Sequence, residues 1–293
     1  MAEQTNAPAV PDRVLRDGYP EGVTCWVDVE VPDPAAAGEF YSGLFGWKLK
    51  ELMPADAPGS YMDATIDGHR VAGIGSQPEG AGAPAWNSYV NVKSADKTAE
   101  QIKAVGGKVL SEPFDVMEAG RMAVAADPQG AQFRLWQPGE HKGAELVNEY
   151  GCWVFSDLTT TDVDAAAAFY GSVFGWKLGG GGEWSFFMVP GYGDHLEKIN
   201  PGTKKRAAEQ DAPDGFVDVT ASVRSMEGMP EGSPPSWGVT FGVEDADETA
   251  AKAEELGGKV IVAPFDAPPV RTAVISDPQG AVFAVSRYYP PNG

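Results

Sequence analysis

Two aspartates stand in runs that read as strands, each two residues after a bulky aromatic. Asp28 follows Trp26 in Thr24 to Val31, and Asp157 follows Phe155 in Val154 to Thr159. Side chains alternate along a strand, so each aspartate shares a face with its aromatic. A carboxyl kept from water has its pKa raised toward the range useful for general acid–base work. By the same period Arg134 shares a face with Gln132 and Trp136, and Asn87 with Tyr89 and Asn91. Aromatic walls with a few polar groups are the profile of a small-molecule site. They also fit a core in which Asp28 and Arg134 form a buried ion pair, which argues neither for stability nor for function. Metal chemistry has thinner support. The histidines are His69 in a hairpin turn, His141 in a connecting stretch and His195 in an insertion, and no H-E-x-x-H or C-x-x-C occurs.

The elements that must position these groups are written twice. Phe40-Tyr41-Ser42-Gly43-Leu44-Phe45-Gly46-Trp47-Lys48-Leu49 returns 129 residues on as Phe169-Tyr170-Gly171-Ser172-Val173-Phe174-Gly175-Trp176-Lys177-Leu178. Asp127-Pro128-Gln129-Gly130 returns 150 residues on as Asp277-Pro278-Gln279-Gly280. Landmarks repeated in the same order mark a tandem duplication. The unequal offsets place about 21 extra residues within the second copy.

Each copy reads as strand, helix and three strands, twice over. Asp33-Pro34 supplies an N-cap and a first-turn proline for a helix to Phe45, and Gly46 ends it. Tyr61 to Ile66, Asp67-Gly68 and His69 to Ile74 read as a hairpin. The prediction is an α+β fold of two tandem domains, each of paired βαβββ modules. The expected division is a flexible tail over 1–20, a first domain over 21–138, a linker over 139–150 and a second domain over 151–290, with an insertion at about 191–235. Phe40, Tyr41, Phe45, Trp47 and their copies are expected to pack helix against sheet. Arg121 and Arg271 stand at matched places and are expected to orient loops, the alternative being reception of an anionic or phenolic ligand. Tyr192 and Asp194 in the insertion are candidates for a lid.

The 293 residues carry 22 Lys and Arg against 42 Asp and Glu, a formal net charge of −20. That balance argues against nucleic acid and anionic membrane surfaces as partners. No apolar run approaches the length of a membrane span, and Met1 to Pro11 is polar. The two cysteines, Cys25 and Cys152, occupy non-equivalent places, so no disulfide framework is expected and a cytoplasmic location is.

Together the paired modules, the D-x-x-x-A-x-x-F-Y-x-x-x-F-G-W helix and D-P-Q-G before a final strand resemble the vicinal oxygen chelate superfamily of glyoxalases, bleomycin-resistance proteins and extradiol dioxygenases. The resemblance runs from Gly22 to Tyr289. Cys25 to Asp28, Leu135 to Glu140 and Gly191 to Asp194 resemble a two-domain, actinomycete-like subgroup often labelled hydroxylase or glyoxalase-like, with some members in polyketide antibiotic biosynthesis. The resemblance implies a cup-shaped sheet in each domain. In the family's enzymes it also implies a divalent metal on a His or Gln of the first strand, a His on the first strand of the second module and a Glu on the last. Those positions fall here on Trp26, Asn87 and Arg134, and on Phe155, Gly238 and Ala284. None is a good ligand, and Arg134 cannot deprotonate. No metal or other cofactor is expected.

The first cup is then expected to hold Trp26, Asp28, Tyr61, Asn87, Tyr89, Arg134 and Trp136. The second is expected to hold Phe155, Asp157, Trp184, Phe186, Trp237, Val282 and Ser286, with more free volume because Gly238 and Ala284 are small. The expected function is metal-independent binding of a hydrophobic, aromatic small molecule, for sequestration, resistance or as a biosynthetic auxiliary. The alternative is a metal-free tailoring enzyme of polyketide-type antibiotic biosynthesis with Asp28, Asp157 or a tyrosine as acid or base. A metal-dependent lyase or dioxygenase would need ligands that the sequence lacks. Smaller relatives of the resembled family assemble two such domains as dimers, so a duplicated chain is expected to be a monomer.

Overall fold

The computed structural model describes residues 13–181, 184–210, 212–229 and 232–289, with the backbone alone at 181 and 184. The first half comprises β1 (Thr24–Val31), α1 (Pro34–Phe45), β2 (Lys48–Glu51), β3 (Tyr61–Ile66), β4 (His69–Ser76), β5 (Ala85–Asn91), α2 (Ala95–Ala104), β6 (Lys108–Val116), β7 (Gly120–Ala126) and β8 (Gln132–Pro138). The second half opens with β9 (Trp153–Thr160), α3 (Val163–Phe174), β10 (Lys177–Gly181) and β11 (Trp184–Met188). An insertion follows with α4 (Tyr192–Ile199), α5 (Thr203–Glu209) and a 3-10 turn at Phe216–Asp218. The half closes with β12 (Val219–Ser225), β13 (Ser236–Gly242), α6 (Ala246–Glu255), β14 (Lys259–Ala267), β15 (Val270–Ser276) and β16 (Val282–Tyr288).

Each half folds as one eight-stranded sheet, ordered β2-β3-β4-β1-β5-β8-β7-β6 and β10-β11-β12-β9-β13-β16-β15-β14. The two modules of a sheet meet where β1 pairs antiparallel with β5, and β9 with β13. The expected α+β architecture of two tandem cup-sheet domains is therefore the observed one. Strand β12 falls within the stretch at about 191–235 that the sequence reading assigns to the insertion. It follows the helical insertion and occupies the place of β4, parallel to the first strand of its sheet.

Local chemistry sets the helix ends. Asp33 Oδ1 accepts the Ala36 N–H at 3.0 Å, and Asp162 Oδ1 accepts that of Ala165 at 2.9 Å. Gly46 and Gly175 then end α1 and α3 with φ of 76° and 72°, which a side chain would oppose.

The sheets pack back to back, and their helices reach across. The expected packing of helix on sheet within each copy is only part of what occurs. The Phe45 ring lies 5.0 Å from Phe241 and 6.0 Å from Phe283 of the other half. Reciprocally, Phe174 lies 5.9 Å from Phe133. Gln279 of the second D-P-Q-G turn accepts the Asp33 N–H at 2.8 Å and donates to Asp33 O at 2.7 Å. Gln129 makes the same pair with Asp162, both at 2.8 Å. Burying both apolar faces against each other joins the halves through two core clusters, each drawing on residues of both.

The connection over 139–150 is not slack. His141 N donates to Ala119 O at 3.0 Å, Ala144 N donates to Cys25 O at 2.8 Å, and Tyr19 Oη donates to Ala144 O at 2.7 Å. At Gly143, with φ of 108°, a Cβ would lie 2.4 Å from Cys25 O, so the strap crosses the sheet end at backbone contact. Among the described residues no helix is long and apolar enough to cross a membrane.

Candidate functional site: two unequal cups

In the first cup Asp28 is the hub. It is buried on β1, where Tyr89 Oη donates to Oδ2 at 2.6 Å, Tyr61 Oη to Oδ2 at 3.1 Å and Asn87 Nδ2 to Oδ1 at 2.9 Å. Trp26 Nε1 donates in turn to Tyr61 Oη at 3.0 Å. The Asp28–Arg134 pair weighed from sequence does not form. Arg134 Nη2 instead contacts Glu30 Oε2 at 2.6 Å, and its Nη1 donates to Tyr89 Oη at 3.4 Å. The physical reason is that Asp28 already accepts from Tyr61, Asn87 and Tyr89, so the long Arg134 side chain, one row along, reaches past it to Glu30. Burial pushes the Tyr61 and Tyr89 hydroxyls well above their ordinary range, so they stay donors. Burial also raises the Glu30 carboxyl, against the lowering pull of Arg134.

His141 also enters this cup, although no strand carries it. The strap inserts its ring edge-on against Trp26, with centroids 4.4 Å apart, and 5.5 Å from Trp136. Both ring nitrogens are buried and unpartnered among the described residues. Burial, then the charge of Arg70, lowers its pKa to about 4. All seven predicted first-cup residues share this face, but they pack on each other and Trp26 retains only 2 % of its exposure. The first cup is filled by its own side chains.

The second cup has the same rows and smaller occupants. Register matches Tyr89–Arg134 with Thr240–Ala284, Asn91–Trp136 with Gly242–Ser286, and Trp136–Met122 with Ser286–Thr272. Asn87 opposite Asp28 becomes Gly238 opposite Asp157, where an added Cβ would meet nothing nearer than Asp157 O at 3.8 Å. Asp157 Oδ1 accepts from Ser222 Oγ at 2.5 Å and Oδ2 from Thr240 Oγ1 at 2.6 Å. Burial raises its pKa, and the two hydroxyls oppose that shift. Phe155, Phe186 and Phe216 flank it, with centroids 6.4 Å and 5.5 Å from Phe186 to the other two. Val282 on the same face is 47 % exposed and Val262 is 42 % exposed, so an apolar wall stands open to solvent.

Of the predicted second-cup residues, Phe155, Asp157, Phe186, Val282 and Ser286 lie on this face, while Trp237 does not. Its register partner is Leu158, and its Nε1 donates to Tyr170 Oη at 2.9 Å within the core between the halves. Gly238, not Trp237, faces the cup, because alternation places neighbours on opposite sides. The Trp184 side chain lies outside the described residues.

The row crossing each cup tests the implied metal. Trp26, Tyr89 and Arg134 stand in register in the first, and Phe155, Thr240 and Ala284 in the second. The second implied position, Asn87 or Gly238, lies one row along on the same face, opposite Asp28 or Asp157. An indole, a carboxamide and a guanidinium do not fit a divalent cation, and neither do a phenyl, a bare glycine and a methyl; Tyr89 and Thr240 in the same faces add only a phenol and a hydroxyl. No three His, Cys, Asp or Glu side chains converge among the described residues.

Arg121 Nε and Nη2 each donate to Asp96 at 2.9 Å, while Nη1 donates to Asp115 at 2.9 Å. Arg271 repeats this with Asp247 and Asp266. Both tie a helix N-terminus to a sheet edge, the loop-orienting role. Tyr192 is buried in the core, and Asp194 pairs with Lys204, so neither closes a cup.

Two duplicated cup-shaped sheets, packed back to back with one cup filled and one open, define a tandem cup-sheet protein. The chain belongs to the glyoxalase/bleomycin resistance protein/dioxygenase superfamily, whose family model matches residues 26–135 and 153–285. It is 38 % identical over 279 residues to "Putative glyoxylase CFP32" of Mycobacterium tuberculosis, covering 94 % of this chain and 98 % of that one. It is 34 % identical over 281 residues to the anthracycline biosynthesis protein DnrV of Streptomyces peucetius, covering 91 % and 94 %. Among solved structures, the 2,3-dioxygenase LapB from Pseudomonas sp. KL28 aligns with a TM-score of 0.58 at 14 % identity, covering 92 % of this chain and 94 % of that one. The Mn(II)-bound glyoxalase from Novosphingobium aromaticivorans aligns with a TM-score of 0.56 at 14 % identity, covering 91 % and 82 %. At such identities these two likenesses speak for the fold alone.

Proposed function

We propose that this protein binds a hydrophobic, aromatic small molecule in its second cup, without a metal, as an auxiliary or sequestering protein of aromatic natural-product metabolism. The observation that carries the reading is the replacement of Asn87, Tyr89, Arg134 and Trp136 in the filled cup by Gly238, Thr240, Ala284 and Ser286 in the open one. Burying an aromatic skeleton against Phe155, Phe186 and Val282 would contribute about 25 cal/mol per Å² of apolar surface. The Asp157–Ser222–Thr240 group would orient one polar substituent. The name of the relative DnrV is in keeping with a ligand of this class.

The test is a calorimetric titration of metal-analysed protein with a panel of aromatic polyketides. Wild type and Trp26→Phe should bind one ligand per chain, while Ser286→Trp and Ala284→Arg, which restore the first cup's occupants, should abolish binding. Retained binding in both filled variants would overturn the assignment. The burial of Asp157 at the cup floor, which raises its pKa, favours a second reading, in which its carboxyl serves as the acid or base of a tailoring reaction on the bound compound. Recovery of a chemically altered compound would select that tailoring role over simple binding.

A further inference from the structure

A separate cavity of roughly 390 Å³ opens at the mouth of the first cup, on the outer side of its filled centre. Its floor is one row of the sheet, Tyr61, Gly75 and Glu30. Met53 and Pro58 form one wall, and Gln77, Pro78 and Glu79 the other. Among the described residues two carboxylates and no basic side chain line it. Glu30 spends only Oε2 on Arg134, and Oε1 has no partner among the described residues. Arg134 lies behind Glu30, with its side chain 11 % exposed. The Gln77 amide donates to Gly82 O at 2.8 Å, leaving its carbonyl oxygen as a further acceptor.

From this geometry we propose that the first-cup mouth is a second binding site, for a primary ammonium group carried on an apolar or aromatic body. An ammonium brings three donors and no acceptor, which suits the free Glu30 oxygen and the Gln77 carbonyl. The Tyr61 ring beside the carboxylate adds a face attractive to a cation. Glu79 at the rim leaves the pocket net negative, and the chain's charge of −20 draws cations toward it. Phosphate or carboxylate ligands would meet the same carboxylates as repulsion. The volume falls within the ordinary range for a small-molecule site. The site is independent of the second cup.

Tyramine and its uncharged counterpart 4-ethylphenol are the probes, titrated calorimetrically into the full chain at low salt. Tyramine should bind one per chain, with 4-ethylphenol about tenfold weaker or worse. Glu30→Gln should weaken tyramine by about tenfold and the surface variant Glu79→Gln by a few-fold, with added salt weakening it further. Glu79→Gln touches no core group, so its effect is readable even if Glu30→Gln proves unstable. Equal affinity for the two probes, no binding of either, or tyramine binding indifferent to Glu79→Gln would overturn the site. Ser286→Trp should leave tyramine binding intact. Loss of it there would move the amine to the second cup, sinking this inference while sparing the function proposed above.

Discussion

Tyr41 donates its hydroxyl to Asp277 Oδ2 at 3.1 Å across 236 positions of sequence, and Tyr170 does the same to Asp127 at 3.1 Å. Each aspartate also anchors its own turn. Asp277 Oδ1 accepts the Gln279 and Ala281 N–H groups at 2.9 Å. Each tyrosine also accepts from a tryptophan, Trp86 Nε1 at 3.0 Å and Trp237 Nε1 at 2.9 Å. The helix signature of one half is thus the partner of the turn signature of the other. Tyr41→Phe removes an acceptor and a donor in a buried site, so it should cost about 2–3 kcal/mol. Tyr170→Phe should cost a similar amount. Chemical denaturation of both variants checks this, and a change below about 0.5 kcal/mol in either would show that the clasp carries no stability.

That clasp explains how much the sequence disclosed. The motifs recur because each half must supply both members, so repetition made the duplication and the paired modules readable. The cup faces are readable by alternation, which puts Gly238 in the cup and its neighbour Trp237 in the core, against the expectation for Trp237. The partner of Arg134 was not readable, since Glu30 and Asp28 lie on one face of one strand and the choice turns on Asp28 being taken by Tyr61, Asn87 and Tyr89. His141 gave no signal, because the strap has no periodicity and its insertion depends on backbone bonds to Ala119 and Cys25.

Gly73 makes room for the first-cup network. A Cβ there would lie 2.3 Å from Tyr61 Oη and 3.0 Å from Asp28 Cβ. Gly73→Ala should therefore expel the Tyr61 ring and destabilise the protein by about 2–4 kcal/mol. Tyr61→Ala removes the obstructing ring, so the double variant should be several tenths to about 2 kcal/mol better than additive. Strict additivity would mean that the strand shifts instead of the ring.

Asp157 separates binding from chemistry. Both its oxygens accept from hydroxyls, which can rotate to accept from an amide, so Asp157→Asn should cost under about 1.5 kcal/mol. If the second cup only binds, the variant should keep its aromatic ligand within about tenfold. If the cup is a catalyst, turnover should vanish while binding survives. Loss of binding and fold together would show that Asp157 serves the sheet instead.

His141 makes stability depend on acidity. Its ordinary pKa near 6.5 falls to about 4 in the folded chain, first because burial disfavours the cation and then because Arg70 repels it. Between those values the unfolded chain binds a proton that the folded chain refuses. The unfolded state therefore gains as pH falls: the contribution is complete above about pH 6.5 and is lost progressively down to about pH 4. Because His141 as a residue is only half-buried, the loss should be on the order of 2 kcal/mol. Burial also raises the pKa of carboxyls such as Asp63 and Asp157, so the measurement is a difference. Unfolding free energies of wild type and His141→Phe are compared at neutral pH and near the lower end of the window. The wild type should lose about 2 kcal/mol more than the variant. Parallel pH profiles would mean that the ring swings out of the Trp26–Trp136 gap and takes its proton in water.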